Sequence, residues 1–149
     1  MPLFEKDHPL AIIPTRATSG SAGYDLFPLR ISDKDIEIPG YEYTMPTMIE
    51  TGIKVNIPEG YCGQIWAKSS LGSLGISVFA GMIDSDYRKT IKVLLMNFDN
   101  DLFVVPDNKA IAQLVIVPIY TGDDVVGVVR VGGFGSTEAS VKVPEVSAV

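Results

Sequence analysis

Three clusters along the chain carry side chains able to do chemistry. Lys68-Ser69-Ser70 sets one cation beside two hydroxyls, with main-chain N–H groups to add, which suits a polyphosphate. A capped turn is the ordinary alternative. Gly81-Met82-Ile83-Asp84-Ser85-Asp86-Tyr87-Arg88 carries two carboxylates at i and i+2. In an extended segment both would lie on one face and Tyr87 on the other. Paired carboxylates suit a metal or the activation of a water; a hairpin rim is the plainer explanation. Gly132-Gly133-Phe134-Gly135-Ser136-Thr137 offers N–H groups and hydroxyls to a phosphate. It departs from the standard fingerprints. G-x-G-x-x-G from Gly133 would need glycine where Glu138 stands, and Gly127-x4-Gly132 is followed by Gly133 instead of a P-loop lysine. No one cluster decides a function alone.

Composition removes most other chemistries. The lone Cys62 excludes an intrachain disulfide and any cysteine-rich zinc site, and the lone His8 excludes histidine clusters. Twelve Lys+Arg against eighteen Asp+Glu give a net charge of −6 with no basic run, a poor match for a protein that tracks nucleic-acid phosphates. No run of about 18 apolar residues exists to span a membrane. Met1 to Pro9 has no apolar stretch of the secretory type, so an intracellular, non-secreted protein is expected. Catalysis must come from carboxylates, hydroxyls, Lys/Arg and backbone.

The elements that would position these groups read as strands. The 149 residues are 46% hydrophobic and 20% charged, enough for one globular domain. In Gly52 to Pro58, Ile53, Val55 and Ile57 face one way, and Lys54 and Asn56 the other. Tyr61–Ala67, Thr90–Asn97, Leu102–Val105 and Ala110–Ile119 read as further strands, separated by Glu59-Gly60, Asp99-Asn100-Asp101 and Pro106-Asp107-Asn108 turns. The one plausible helical turn lies at Ser69 to Leu74. Many short strands with regular turns predict an all-β sandwich or barrel of jelly-roll type over residues 1–120. From Thr121 onward glycines accumulate without core-forming periodicity, which predicts a flexible C-terminal arm over 121–149. A frayed terminus is the simpler account, but Phe134 among glycines argues against it.

Taken in order, the clusters resemble a known family. Ala22-Gly23-Tyr24-Asp25-Leu26, Ala67-Lys68-Ser69-Ser70-Leu71-Gly72, Gly81 to Arg88, Ile111-Ala112-Gln113-Leu114 and Gly132 to Thr137 are similar to the five motifs of trimeric dUTPases, in the family's order and spacing. Pro14-Thr15-Arg16-Ala17 also resembles the family's lead-in, and the likeness covers about residues 11 to 137. It implies a jelly-roll homotrimer that hydrolyses dUTP to dUMP and pyrophosphate with Mg2+, keeping uracil out of DNA and supplying dUMP for dTTP synthesis. It also implies sites shared between subunits: the third motif from one, motifs one, two and four from a second, the arm from a third. By position, Asp84 matches the general base and Asp25 the residue holding water ligands of the Mg2+. Lys68, Ser69, Ser70 and Gln113 match phosphate and substrate contacts, and Tyr87 the ring beneath the deoxyribose. The backbone of a hairpin around Val78 to Gly81 would read uracil. Phe134 matches the aromatic over the base; Gly135, Ser136 and Thr137 belong to the same motif, the two hydroxyls matching γ-phosphate ligands.

Three departures accompany the likeness. Lys68 stands where the second motif usually has Arg, keeping the charge without the bidentate fork. Val129 stands where the fifth motif has Arg, with Arg130 one residue later as the γ-phosphate candidate. Glu138 replaces the glycine after Ser-Thr. Two rival readings remain at this level. One is a dUTPase-derived binding module whose C-terminal Ser147-Ala148-Val149 would add to a PDZ domain. The other is a dCTP deaminase, which Asp84-Ser85-Asp86-Tyr87 and the Gly-Gly-Phe-Gly arm fit less well.

Overall fold

A computed structural model describes residues 1–42, 45–122 and 132–133. In chain order its elements are β1 (Phe4–Lys6), β2 (Tyr24–Leu26), β3 (Glu37–Ile38), β4 (Thr47–Glu50), β5 (Ile53–Val55), β6 (Tyr61–Trp66), α1 (Ser69–Gly72), β7 (Ile76–Phe79), β8 (Met82–Ile83), β9 (Lys92–Asn97), β10 (Phe103–Val104) and β11 (Ala112–Pro118). The fold is all-β and jelly-roll-like, as the turn spacing predicts. A four-stranded sheet has the order β2-β11-β6-β8, a three-stranded sheet the order β4-β9-β7, and β1-β5 and β10-β3 form two smaller pairs. Every pairing in these sheets is antiparallel.

Period-2 burial builds the core. In β9, Val93, Leu95 and Asn97 point inward while Lys92, Leu94 and Met96 point out. Leu26, Ile65, Ile83 and Leu114 from the larger sheet join Ile49, Ile76, Val93 and Leu95 from the smaller in one cluster. The buried polar groups are satisfied, as they must be. Asn97 Nδ2 donates to the carbonyls of Ile38 at 3.2 Å and Asp101 at 2.7 Å, and Oδ1 accepts from the Asp99 N–H at 3.0 Å. Thr51 Oγ1 donates to the Ile91 carbonyl at 2.7 Å and accepts from the Ile53 N–H at 3.2 Å. Thr51 thereby fixes the segment that leads into β9. Thr51→Val should cost about 1–3 kcal/mol in chemical denaturation, because the Ile53 N–H loses its acceptor inside the core.

The strands expected around Ile53, Tyr61, Thr90, Leu102 and Ala110 all form, with ends as expected at Tyr61 and Asn97 and trimmed by one to three residues elsewhere, and α1 occupies the expected helical turn. Of the expected arm, only residues 121–122 and 132–133 are described. Among the described residues no helix is long and apolar enough to cross a membrane.

Candidate active site

The main concavity lies where the two larger sheets part. β7 is the last strand of the three-stranded sheet and β8 the last of the four-stranded one. The sequence reading expects a hairpin here, yet the two strands do not pair with each other: β7 pairs with β9, and β8 with β6. The reason is the link between them. Ala80 and Gly81 both have positive φ, 58° and 118°, and carry the chain from one sheet across to the other. Gly81 also accepts at its carbonyl from the Ile65 N–H at 2.9 Å, and a Cβ on it would come 3.0 Å from the Ile65 carbonyl oxygen. Only glycine combines that φ with that approach.

Two sheet edges therefore face one cleft of about 700 Å³, lined by Ser77, Val78, Ala80, Gly81, Met82 and Ile83 from the edges themselves. Asp84, Tyr87, Ile91 and Gly133 line it too, along with Trp66 and Ala67 from the end of β6. An edge strand presents N–H and C=O groups on its open side, so these walls can hydrogen-bond a flat polar ring without using side chains.

Asp84 and Asp86 do not share a face. The Tyr87 N–H bonds back to the Asp84 carbonyl at 3.1 Å, so Ser85-Asp86 forms a tight turn in place of the expected extended segment. Asp84 is held half-buried at the cleft, while Asp86 is exposed. The turn takes the second carboxylate away, leaving Asp84 as the one of the pair that lines the cleft. Tyr87 is buried, and its hydroxyl donates to the Thr90 carbonyl at 2.8 Å. Its ring is thus a fixed wall.

A second group gathers at the same end of β6, on the side of its β11 and β2 neighbours. Asp25, Gln113 and Trp66 are cross-strand partners on adjacent strands, so their side chains stand in a row on one face. Gln113 Nε2 donates to the Ala67 carbonyl at 3.1 Å, and a Cβ on Gly23 would come 2.8 Å from Gln113 Cβ. The Gly in Gly23-Tyr24-Asp25 is therefore the space into which Gln113 packs. Lys68, the residue before α1, returns across this row to pair with Asp25, Nζ to Oδ1 at 2.5 Å. Ser69 and Ser70 open α1 and are exposed.

Of the residues read from the sequence, Val78, Gly81, Asp84 and Tyr87 share the cleft; Asp25, Lys68 and Gln113 meet one another beside it. Arg130, Phe134, Gly135, Ser136, Thr137 and the Ser147-Ala148-Val149 tail lie outside the described residues. Gly133 stands at the cleft of its own chain, against the side chain of Lys89. Sequence reasoning missed Ile91 and Ser77. Ile91 precedes β9, inside the strand expected from Thr90, and Ser77 lies in β7, so alternation along those segments was the available signal.

Comparison with known proteins agrees with this arrangement. The dUTPase family profile matches residues 10–140. The deoxyuridine 5′-triphosphate nucleotidohydrolase of avian adenovirus 8 is 41% identical over 122 residues, 81% of this chain and 71% of that protein. The enzyme of the same name from Paramecium bursaria Chlorella virus 1 is 36% identical, covering 85% of this chain and 90% of its own. Among solved structures, the dUTPase of Staphylococcus bacteriophage 80alpha with dUpNHpp superposes with a TM-score of 0.69 at 22% identity, over 93% of this chain and 97% of that one. A mutant dUTPase from phage phi11 of S. aureus, described with a coordinated structural Mg(II) ion, gives 0.69 at 22% identity, over 80% and 92%. The profile runs through every motif named above, from Gly23 to Thr137, and on that match the chain belongs to the dUTPase family.

Proposed function

We propose that this protein hydrolyses dUTP to dUMP and pyrophosphate. The observation that carries the reading is the cleft between the open edges of β7 and β8, with Asp84 at its side and the Tyr87 ring as a wall. The edges offer uracil main-chain donors and acceptors. The buried Tyr87 ring lies against the deoxyribose and leaves no room for a ribose 2′-OH. Asp84 accepts the proton of a water whose oxygen bonds to the α-phosphorus. The bond from that phosphorus to the bridging oxygen breaks, and pyrophosphate leaves with the electron pair. Lys68, Ser69 and Ser70 hold phosphate oxygens. Gln113 has two N–H donors; one goes to Ala67, and the other is assigned to substrate.

A Mg2+ cofactor fits the donor set. Among the described residues no group of three or more His, Cys, Asp or Glu forms a metal cage. Asp25 instead offers one carboxylate beside a phosphate site, and already carries a cation there. Mg2+ is commonly held that way, keeping its waters and taking substrate phosphates as further ligands. When bound, the ion would offset the charge of the triphosphate and orient it.

The working unit is proposed as a trimer, with the cleft of one subunit facing Asp25, Lys68 and Gln113 of the next. Two observations support it: those three residues do not line the cleft of their own chain, and apolar side chains stay in water. Trp66 is 57% exposed, Met82 62% and Tyr120 96%. Light scattering should give three times the chain mass; a monomer with nucleotide and Mg2+ present would refute the shared site. Residues 121–149 are proposed as the separate arm, bringing Phe134 over uracil and Arg130, Gly135, Ser136 and Thr137 to the γ-phosphate.

Pyrophosphate release tests the activity itself. dUTP should turn over, with dTTP, dCTP and UTP poor substrates; equal turnover of UTP would remove the assignment of the Tyr87 wall.

A further inference from the structure

Asp25 and Lys68 lie 43 residues apart in sequence and meet with side chains only 21% and 26% exposed. Among the described residues neither side chain has another polar partner. The backbone on both sides is fixed. Asp25 N–H donates to the Thr15 carbonyl at 2.8 Å, and Asp25 pairs with Gln113 in the sheet. Gln113 holds the Ala67 carbonyl, and the Lys68 carbonyl accepts from Leu71 and Gly72 at 3.0 and 2.8 Å. The approach of the two charges is thus set by the fold.

We propose that this ion pair is an exchange switch that makes metal and nucleotide bind cooperatively. The inference rests on the roles given above to Asp25 and Lys68. The ammonium sits in the place on Asp25 where the metal's waters would go. Metal alone must displace Lys68 and leave its charge unpaired in a half-buried site. Nucleotide alone must draw Lys68 away and leave the Asp25 carboxylate facing a polyanion. When both arrive, Asp25 passes from Lys68 to the hydrated ion, and Lys68 passes from Asp25 to a phosphate oxygen. Each ligand then removes the cost of the other, and the coupling is reciprocal. A lysine suits such an exchange because its charge is one compact centre; an arginine fork can hold two anions at once.

The test is binding by the full chain, with Mn2+ as a paramagnetic stand-in for Mg2+ and dUpNHpp as nucleotide. Without nucleotide, Lys68→Met should bind Mn2+ roughly fivefold tighter than the parent, with Lys68→Arg within about twofold of the parent. Without metal, in chelator, Asp25→Asn should bind dUpNHpp tighter than the parent by a similar factor. The second arm does not depend on the folding of the first variant. Circular dichroism matching the parent qualifies each protein. Parent-like Mn2+ affinity in Lys68→Met, or parent-like metal-free dUpNHpp affinity in Asp25→Asn, overturns the switch and leaves dUTP hydrolysis standing. If the parent holds no Mn2+ even with dUpNHpp, the metal role of Asp25 falls, and the switch with it.

Discussion

An Asp84→Asn protein should bind dUpNHpp as tightly as the parent and release pyrophosphate from dUTP about 10²–10⁴-fold more slowly. The amide keeps the size of the carboxylate and its place beside the cleft, so the nucleotide meets the same walls. What it lacks is an oxygen able to take the proton from the attacking water. The loss should fall on kcat, since the role proposed for Asp84 is on the reacting water and not on the bound substrate. Parent-like kcat would remove Asp84 as the base. The turn that exposes Asp86 sharpens this expectation, because no adjacent carboxylate is placed in the cleft to substitute. Asp86→Asn should accordingly leave turnover within about twofold of the parent.

The second large effect is expected at Gly81. Alanine there must adopt a φ of 118° with its Cβ 3.0 Å from the Ile65 carbonyl oxygen and 3.2 Å from Ile65 Cβ. Strain and crowding together should cost about 3 kcal/mol. The backbone can relieve it only by moving the link between β7 and β8, which are the two walls of the cleft. KM for dUTP should therefore rise together with the loss in Tm. Gly60 is the control: its φ is 84°, but nothing lies within 4 Å of an added Cβ. Gly60→Ala should cost about 1 kcal/mol and leave KM alone. Equal behaviour of the two variants would show that crowding against Ile65 does not set the cleft.

Alternation made the long strands legible. β6, β9 and β11 declare themselves because one face of each is apolar and the other mixed. β1 is Phe-Glu-Lys, with one buried residue, and exists because Phe4 to Lys6 find partners in Val55 to Ile53. Three residues carry no period, so that strand was invisible. The order of motifs was enough to reach the family and to name Asp84 and Tyr87. It did not reveal that β7 and β8 part company, since pairing is decided by Ala80 and Gly81 backbone angles that residue types only permit. The same holds for Asp25 and Lys68, brought together by three strands and a turn across 43 residues. Recognition by main chain leaves no side-chain signature, so residue types could not show the proposed uracil site, which rests on the open edges of β7 and β8.

The position of β11 has a consequence for how the molecule is made. It is the last of the described strands in sequence, yet it stands inside the four-stranded sheet, between β2 and β6. A ribosome delivers β2 and β6 long before the strand that joins them. Until residues 112–118 emerge, both present bare edges, and Leu26 and Ile65 lack the Ala112 and Leu114 that flank them in the finished sheet. Folding must therefore wait for nearly the whole β domain to be synthesised, and a chain stopped before Ala112 is left with the pairing edges of an aggregation-prone intermediate.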